Sequence, residues 1–212
     1  MKSVKVRRPD DGWLEARLGE EEVDYLWKCV NKKGISIKKF LAGNVDSSYE
    51  IEDENGWFFK NVLERLIGKY GSEFRNIGAK LGLPLEHPYY LKTMWVNHQK
   101  QFEFNPIHSH TGVYSFVIWM KIPTDWKDQI KLPFLSGTKK DDRKPSSFEF
   151  IYTDRSGEIR VQTYRLNSSH EGCLLFFPST MCHQVYPFYN CDEDRISISG
   201  NIGIDTRTVA KK

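Results

Sequence analysis

The chain has 212 residues and a net charge of only +3, with basic residues gathered at the two ends and in residues 139–144. That length suits one domain with a sizeable core, and a hydrophobic content of 39% excludes a chain disordered throughout. The basic clusters are short and scattered, so they read as solvated faces, and nucleic-acid binding is not expected.

Residues 12 to about 33 place apolar side chains at Trp13, Leu14, Leu18, Val23, Leu26, Cys29 and Val30. This is helical spacing, with glutamates early and lysines late as the helix dipole favours. Asp10 or Asp11 stands where a cap is needed. After a turn-rich stretch, a second and longer helix is expected from about residue 54 to 81. Its stripe is Trp57, Phe58, Val62, Leu63, Leu66, Ile67, Tyr70, Phe74, Ile77 and Leu81, weakened by Gly68, Gly71 and Gly78. After Pro84 the character changes. Short β-branched and aromatic runs such as VYSFVIWMKI, FEFIYT, EIRVQTYRL, CLLFFP and RISISGNIGI alternate with turn residues. The tetrapeptide DRSG, residues 154–157, signals a hairpin. Residues 124–147 are polar and read as a long loop of the kind that forms lids or insertions. About eight strands without intervening helices predict an antiparallel double sheet, a jelly roll, with the helices packed on one outer face. The expected organisation is mainly β with α, a single domain over residues 1–212. Residues 1–84 are its helical support and 85–205 its β core.

Chemistry concentrates in two places. His108 and His110 stand two apart just before the longest apolar run, and on an extended segment they share one face. Near the C-terminus a strand rises through Cys173 to Phe177, breaks at Pro178 and delivers His183. Arg195, Ser197 and Ser199 then share one face of an alternating strand. A guanidinium directed inward there calls for an anion, because burying it unpaired costs several kcal/mol; a carboxylate can accept two hydrogen bonds from it. Neutral imidazoles suit iron, copper, nickel and zinc. A closed double sheet can bring His183 to the other two histidines at one mouth. Taken singly, each feature has a plainer reading: a polar loop end for the histidine pair, or a surface ion pair of Arg195 with Asp192, Glu193 or Asp194. His87, His98 and His170 read as structural or solvated, with a pocket role for His98 and Asn97 left open. The cysteines read as core or incidental residues.

Together these residues resemble the iron(II)- and 2-oxoglutarate-dependent oxygenases over roughly residues 94–202. The chain is similar to a microbial and phage branch that carries a HxH element, a GxLxxFPS strand, a following histidine and an ERISISxNI-like end. Here these are His108-Ser109-His110, Gly172 through Ser179, His183, and Asp194-Arg195-Ile196-Ser197-Ile198-Ser199. The resemblance implies a distorted double-stranded β-helix with Fe(II) and 2-oxoglutarate as cofactors. His108 would be the first metal ligand and His183 the last. Arg195, with Ser197, would hold the distal carboxylate of 2-oxoglutarate. Trp119 stands where relatives place a tyrosine that contacts the co-substrate. The implied reaction uses dioxygen and hydroxylates a substrate, a small molecule or a peptide or prolyl side chain, with release of succinate and CO2.

One departure stands out. The usual facial set is two histidines and a carboxylate, and His110 occupies the acid's place. The favoured reading makes His110 itself a ligand, giving a catalytic metal set of His108, His110 and His183 that lacks one negative charge. The other readings bring in Glu103 or Asp154, or leave that position without a protein ligand. Rival classes are a cupin-like three-histidine dioxygenase without 2-oxoglutarate, and a non-catalytic ligand-binding jelly roll. Arg195 and Ser197 argue against the cupin. The 124–147 loop and the N-terminal third are the expected sources of selectivity. Four cysteines without CxxC spacing, no apolar leader and no bilayer-length apolar run suggest a soluble protein of a reducing cytoplasm (a host's, if viral). Oligomeric state is not legible.

Overall fold

Strand β6 (Tyr114–Lys121) sets the architecture, because seven of its eight residues are buried. Its side chains alternate: Phe116, Ile118 and Met120 enter one core, Val117 and Trp119 another. A strand covered on both faces reads as one unbroken apolar run, and it needs a layer on each side. The computed structural model describes residues 1–7, 12–32, 34–74 and 88–205. Asp10 and Asp11, the far end of the second helix with Ile77, Gly78 and Leu81, and also Pro84 and His87, lie outside the described residues.

β6 is the middle of a seven-stranded antiparallel sheet. Across it run β1 (Ser3–Arg7), β2 (Trp13–Arg17), β9 (Cys173–Pro178), β6, β11 (Arg195–Ile204), β4 (Tyr89–Gln99) and β3 (Ser47–Glu50). A four-stranded sheet faces it in the order β5 (Asn105–His108), β10 (Cys182–Val185), β7 (Ser147–Thr153) and β8 (Ile159–Arg165). Between the sheets pack Trp13, Val117, Trp119, Phe148, Phe150 and Phe177. On the far side of the larger sheet, Phe116, Ile118, Leu174, Phe176 and Ile198 meet α1 (Glu20–Val30) and α2 (Glu64–Glu73) through Leu26, Cys29, Leu66 and Tyr70. Each such buried side chain stabilises the fold by roughly 1.5–3 kcal/mol relative to exposure. The double-sheet jelly roll expected from the strand pattern is therefore the fold.

The N-terminal third differs from its helical reading. Residues 13–17 form a strand, and the helix starts only at Glu20. Their burial has period two: Leu14 and Ala16 face the helical core, while Trp13 points the other way, its ring 4.6 Å from that of Phe150. A strand buried on both sides places apolar residues next to each other, and the pair Trp13-Leu14 mimics a helix start. Glu22 closes the actual start by accepting the Gly19 N–H at 2.6 Å. The second helix is also shorter and less regular. A 3₁₀ turn at Glu54–Gly56 and a π-helical segment at Phe59–Leu63 precede α2, and Phe74 is extended. Asp53 caps the entry by accepting the N–H groups of Phe58 and Phe59, both at 2.8 Å. Because β1, β2 and β3 all lie in the larger sheet, residue 84 does not separate a helical layer from a β layer.

The hairpin at residues 154–157 joins β7 to β8. Gly157 supplies a φ of +84°, and Asp154 accepts the Ser156 N–H at 2.9 Å. The polar stretch before β7 carries short helical turns of its own. Arg143 gathers it by donating to the carbonyls of Ile130 and Thr138 at 2.7 and 3.0 Å.

Candidate active site

The site begins with a strand register. β10 pairs with β5 so that His183 lies directly opposite His108. Each ring donates through Nδ1–H to a backbone carbonyl two residues earlier: His108 to Pro106 O at 2.7 Å, and His183 to Met181 O at 3.0 Å. A carbonyl accepts only, so both Nδ1 atoms carry the proton, and both Nε2 lone pairs are left for a metal. His110 follows β5, held by its backbone N–H on Ser179 O at 2.8 Å. Its Nε2 lies 3.1 Å from Nε2 of His183. One nitrogen from each of the three rings lies within 4.8 Å of the others.

Burial pushes all three imidazoles toward their neutral form. His110 is brought down to about 4, first by burial and then by the neighbouring His108. His183 falls well below the ordinary value for the same leading reason, and His108 is lowered as well. Phe148, Phe150 and Phe177 surround the His183 ring. Neutral, converging imidazoles are metal donors. Two nitrogens each about 2.1 Å from one ion and at right angles lie about 3 Å apart, which matches the His110–His183 separation. The three histidines could hold an iron ion.

The triad lines one part of a cavity of about 490 Å³ between the sheets, and Arg195 lines another. Arg195 is 1% exposed and has no carboxylate partner among the described residues. Its Nε and Nη2 donate to Gln99 Oε1 at 3.1 and 2.7 Å, and Nη2 also donates to the Tyr186 carbonyl at 2.8 Å. The guanidinium sits over the Phe188 ring at 5.3 Å. Nη1 is buried and has no hydrogen-bond partner among the described residues. Burial draws the group down to about 9. The surface ion pair expected as the plain alternative does not form. Glu193 takes Lys121 at 2.7 Å, Asp192 takes Gln101 at 2.8 Å, and Asp194 lies 3.8 Å from His98. A buried cation with an unfilled donor shares one cavity with three neutral imidazoles, a donor set that could take a metal and an anion together.

Ser197, Ser199 and Trp119 also line this cavity. Trp119 is 2% exposed, cross-strand from Ser197, and packs edge-on against Phe148 and His170. The acids considered as replacement ligands are committed elsewhere. Glu103 accepts the N–H groups of Asp46 and Lys100, and Asp154 holds its hairpin turn and Arg160. His98 faces away from the cavity toward Tyr49, whereas its neighbour Asn97 lines it and accepts from Ser48 Oγ at 2.8 Å.

Several participants carry no sequence signal. Gln99 and the Tyr186 carbonyl hold Arg195 without belonging to any motif. Residues of the 37–45 segment line the cavity, whereas those of 124–147, expected as a source of selectivity, do not. Isolated bridges Ser36–Tyr49 and Asn44–Phe104 stretch this segment from the edge strand of one sheet to the residue preceding the edge strand of the other. Only the alternation on β4, with Asn97 and Gln99 on one face, could have pointed to Gln99.

Residues 93–201, just over half the chain, match the family model described as "Putative 2OG-Fe(II) oxygenase". The chain belongs to that family. It is an iron(II)- and 2-oxoglutarate-dependent oxygenase by membership, and both cofactors fit the donors described above. No curated protein matches the chain. Among solved structures, a prolyl-4-hydroxylase from Pseudomonas putida is 15% identical, with 89% of this chain and 90% of that one covered and a TM-score of 0.50. A prolyl hydroxylase from Trichoplax adhaerens, in complex with a hypoxia inducible factor oxygen degradation domain peptide fragment, is 12% identical, covers 95% and 88%, and scores 0.51. A non-heme alpha ketoglutarate dependent carbocyclase from nogalamycin biosynthesis is 7% identical, covers 92% and 80%, and scores 0.53. At such identities the likeness is one of fold. No helix among the described residues is long and apolar enough to cross a membrane.

Proposed function

We propose that this oxygenase is a hydroxylase whose iron is held by His108, His110 and His183. Arg195, with Ser197, receives the distal carboxylate of 2-oxoglutarate, and Trp119 forms the wall beside it. The observation that carries this reading is the buried Nη1 of Arg195, which lacks a partner among the described residues and shares a cavity with the three imidazoles. A cupin-like enzyme working without 2-oxoglutarate would have no use for that cation. We take residues 1–212 as one oxygenase domain.

When bound, iron and 2-oxoglutarate supply the activation of dioxygen, with succinate and CO2 as co-products. The chain's own part is arrangement. His108 and His183 present Nε2 because backbone carbonyls hold their Nδ1–H groups. Phe148, Phe150 and Phe177 keep water from the His183 side. Arg195 keeps its proton and its charge, and so fixes which end of the keto-diacid lies away from the metal.

For the substrate we put first a peptide, with a prolyl side chain as the reacting group. Two of the similar structures are prolyl hydroxylases, one with a peptide bound. The segment at 37–45 lines the cavity and carries the exposed Phe40, an apolar contact that a peptide could use. The test measures oxygen consumption and succinate release with iron(II) and 2-oxoglutarate, then adds prolyl peptides. Succinate formation that rises with peptide, and a hydroxylated product gaining one oxygen by mass, is the expected result. Oxygen use independent of 2-oxoglutarate would sink the reading, and succinate without peptide response would sink its substrate.

A further inference from the structure

The Arg195 guanidinium is aimed by a neutral group. Gln99 on β4 is the direct cross-strand partner of Arg195 on β11, and it is 5% exposed. Its Oε1 accepts from both Nε and Nη2 of Arg195. Its own Nε2 donates to the Glu103 carbonyl at 2.5 Å. That second bond fixes which end of the amide faces the arginine, since only the oxygen can accept two N–H groups. With the Tyr186 carbonyl on Nη2, three of the five guanidinium N–H groups are used. The two on Nη1 are left buried and without a partner among the described residues, and Arg195 lines the cavity that holds the histidines.

A carboxylate in place of Gln99 would orient the guanidinium as well, but it would also pair with it and neutralise it. A carboxamide orients without neutralising. We infer that Gln99 is a positioning residue for 2-oxoglutarate: it turns the Nη1 edge of Arg195 toward the co-substrate's distal carboxylate while leaving the positive charge for that carboxylate to claim. This rests on the proposed role of Arg195. It adds that the side chain opposite must be uncharged.

The experiment uses the full chain loaded with manganese(II), without oxygen, and titrates two ligands by calorimetry. One is 2-oxoglutarate. The other is 2-oxovalerate, which offers the same keto-acid head but a methyl group where the distal carboxylate stands. Gln99→Glu should weaken 2-oxoglutarate about tenfold or more, because a paired arginine no longer rewards a second carboxylate. The same change should leave 2-oxovalerate and manganese affinity within about twofold of wild type, since neither depends on the guanidinium. Gln99→Met, equal in length and without an acceptor, should weaken 2-oxoglutarate by a smaller factor of about three to ten and spare 2-oxovalerate. If Gln99→Glu does not fold, the methionine variant decides alone. Wild-type affinity for 2-oxoglutarate in a folded variant overturns the inference, as does equal loss of both keto acids, which would mark mere structural damage. Wild-type protein that does not prefer 2-oxoglutarate over 2-oxovalerate overturns the role of Arg195 itself, and the inference falls with it.

Discussion

Arg195 and His183 reach the same cavity from opposite sheets, Arg195 from β11 of the larger and His183 from β10 of the smaller. The Tyr186 carbonyl, three residues after His183, accepts from Arg195 and so ties the two sheets together at that point. The histidine end and the arginine end of the cavity are thereby held at a fixed separation by the sandwich itself. The tie is supported from behind: the Tyr186 hydroxyl donates to Glu149, which also accepts from Thr163 and Gln184.

Arg195→Met should remove the co-substrate anchor without touching the metal donors. We expect 2-oxoglutarate affinity to fall by about tenfold to a hundredfold, the worth of a charge-assisted pair in a buried site. Manganese affinity measured on the same sample should stay unchanged. Parallel loss of both would place Arg195 in the scaffold rather than at the co-substrate.

His110→Asp restores the acid of the usual facial set and should keep metal binding at one ion per chain. His110→Ala removes a donor and should lower affinity by at least about a hundredfold. Competition against a chromogenic chelator reads both. Unaltered affinity and stoichiometry in the alanine variant would make His110 a bystander.

The metal-free protein should lose stability as pH falls below neutrality. Burial holds His110 at about 4 in the folded state against an ordinary value of 6.5, so below pH 6.5 the unfolded chain takes up protons that the folded chain refuses. His108 and His183 act in the same direction. The melting temperature of chelator-treated protein should therefore drop steadily from about pH 6.5 toward 4, and added metal should offset the drop near neutrality. A flat profile over that window would show that the imidazoles are solvated.

Gly200→Ala should destabilise the larger sheet. A Cβ there would lie 2.5 Å from the Phe116 ring and 2.8 Å from the Thr93 carbonyl, neither of which can retreat easily between β6 and β4. Overpacking of this kind costs about 1–3 kcal/mol. The check is a melt, in which a loss of about 2–4 °C for each kcal/mol is expected for a domain of this size.

The β core was legible because alternation is a local property. RISIS shows Arg195 and Ser197 on one face whatever strand lies beside them, and DRSG shows its turn within four residues. The HxH pair, the FPS strand with its histidine, and the arginine strand were legible for the same reason, and the family match spans them. The N-terminal strands were not. Trp13 and Leu14 are both buried because β2 lies between two cores, and periodicity cannot separate such a strand from the start of a helix.

From its sequence alone this protein is determined to be largely antiparallel β, with Arg195 and Ser197 on one face of a strand and with His108, His110 and His183 beside strands. Side chains on an extended chain must alternate, and that holds before any strand finds its neighbour. Tertiary structure alone decided which backbone carbonyls hold the His108 and His183 rings, that Gln99 rather than an acid faces Arg195, and that residues of 37–45 rather than of 124–147 line the cavity. His110 and His183 are 73 residues apart, and Gln99 and Arg195 are 96 apart. Contacts over such separations depend on which strands pair and in what register, and that is chosen by the packing of both cores at once.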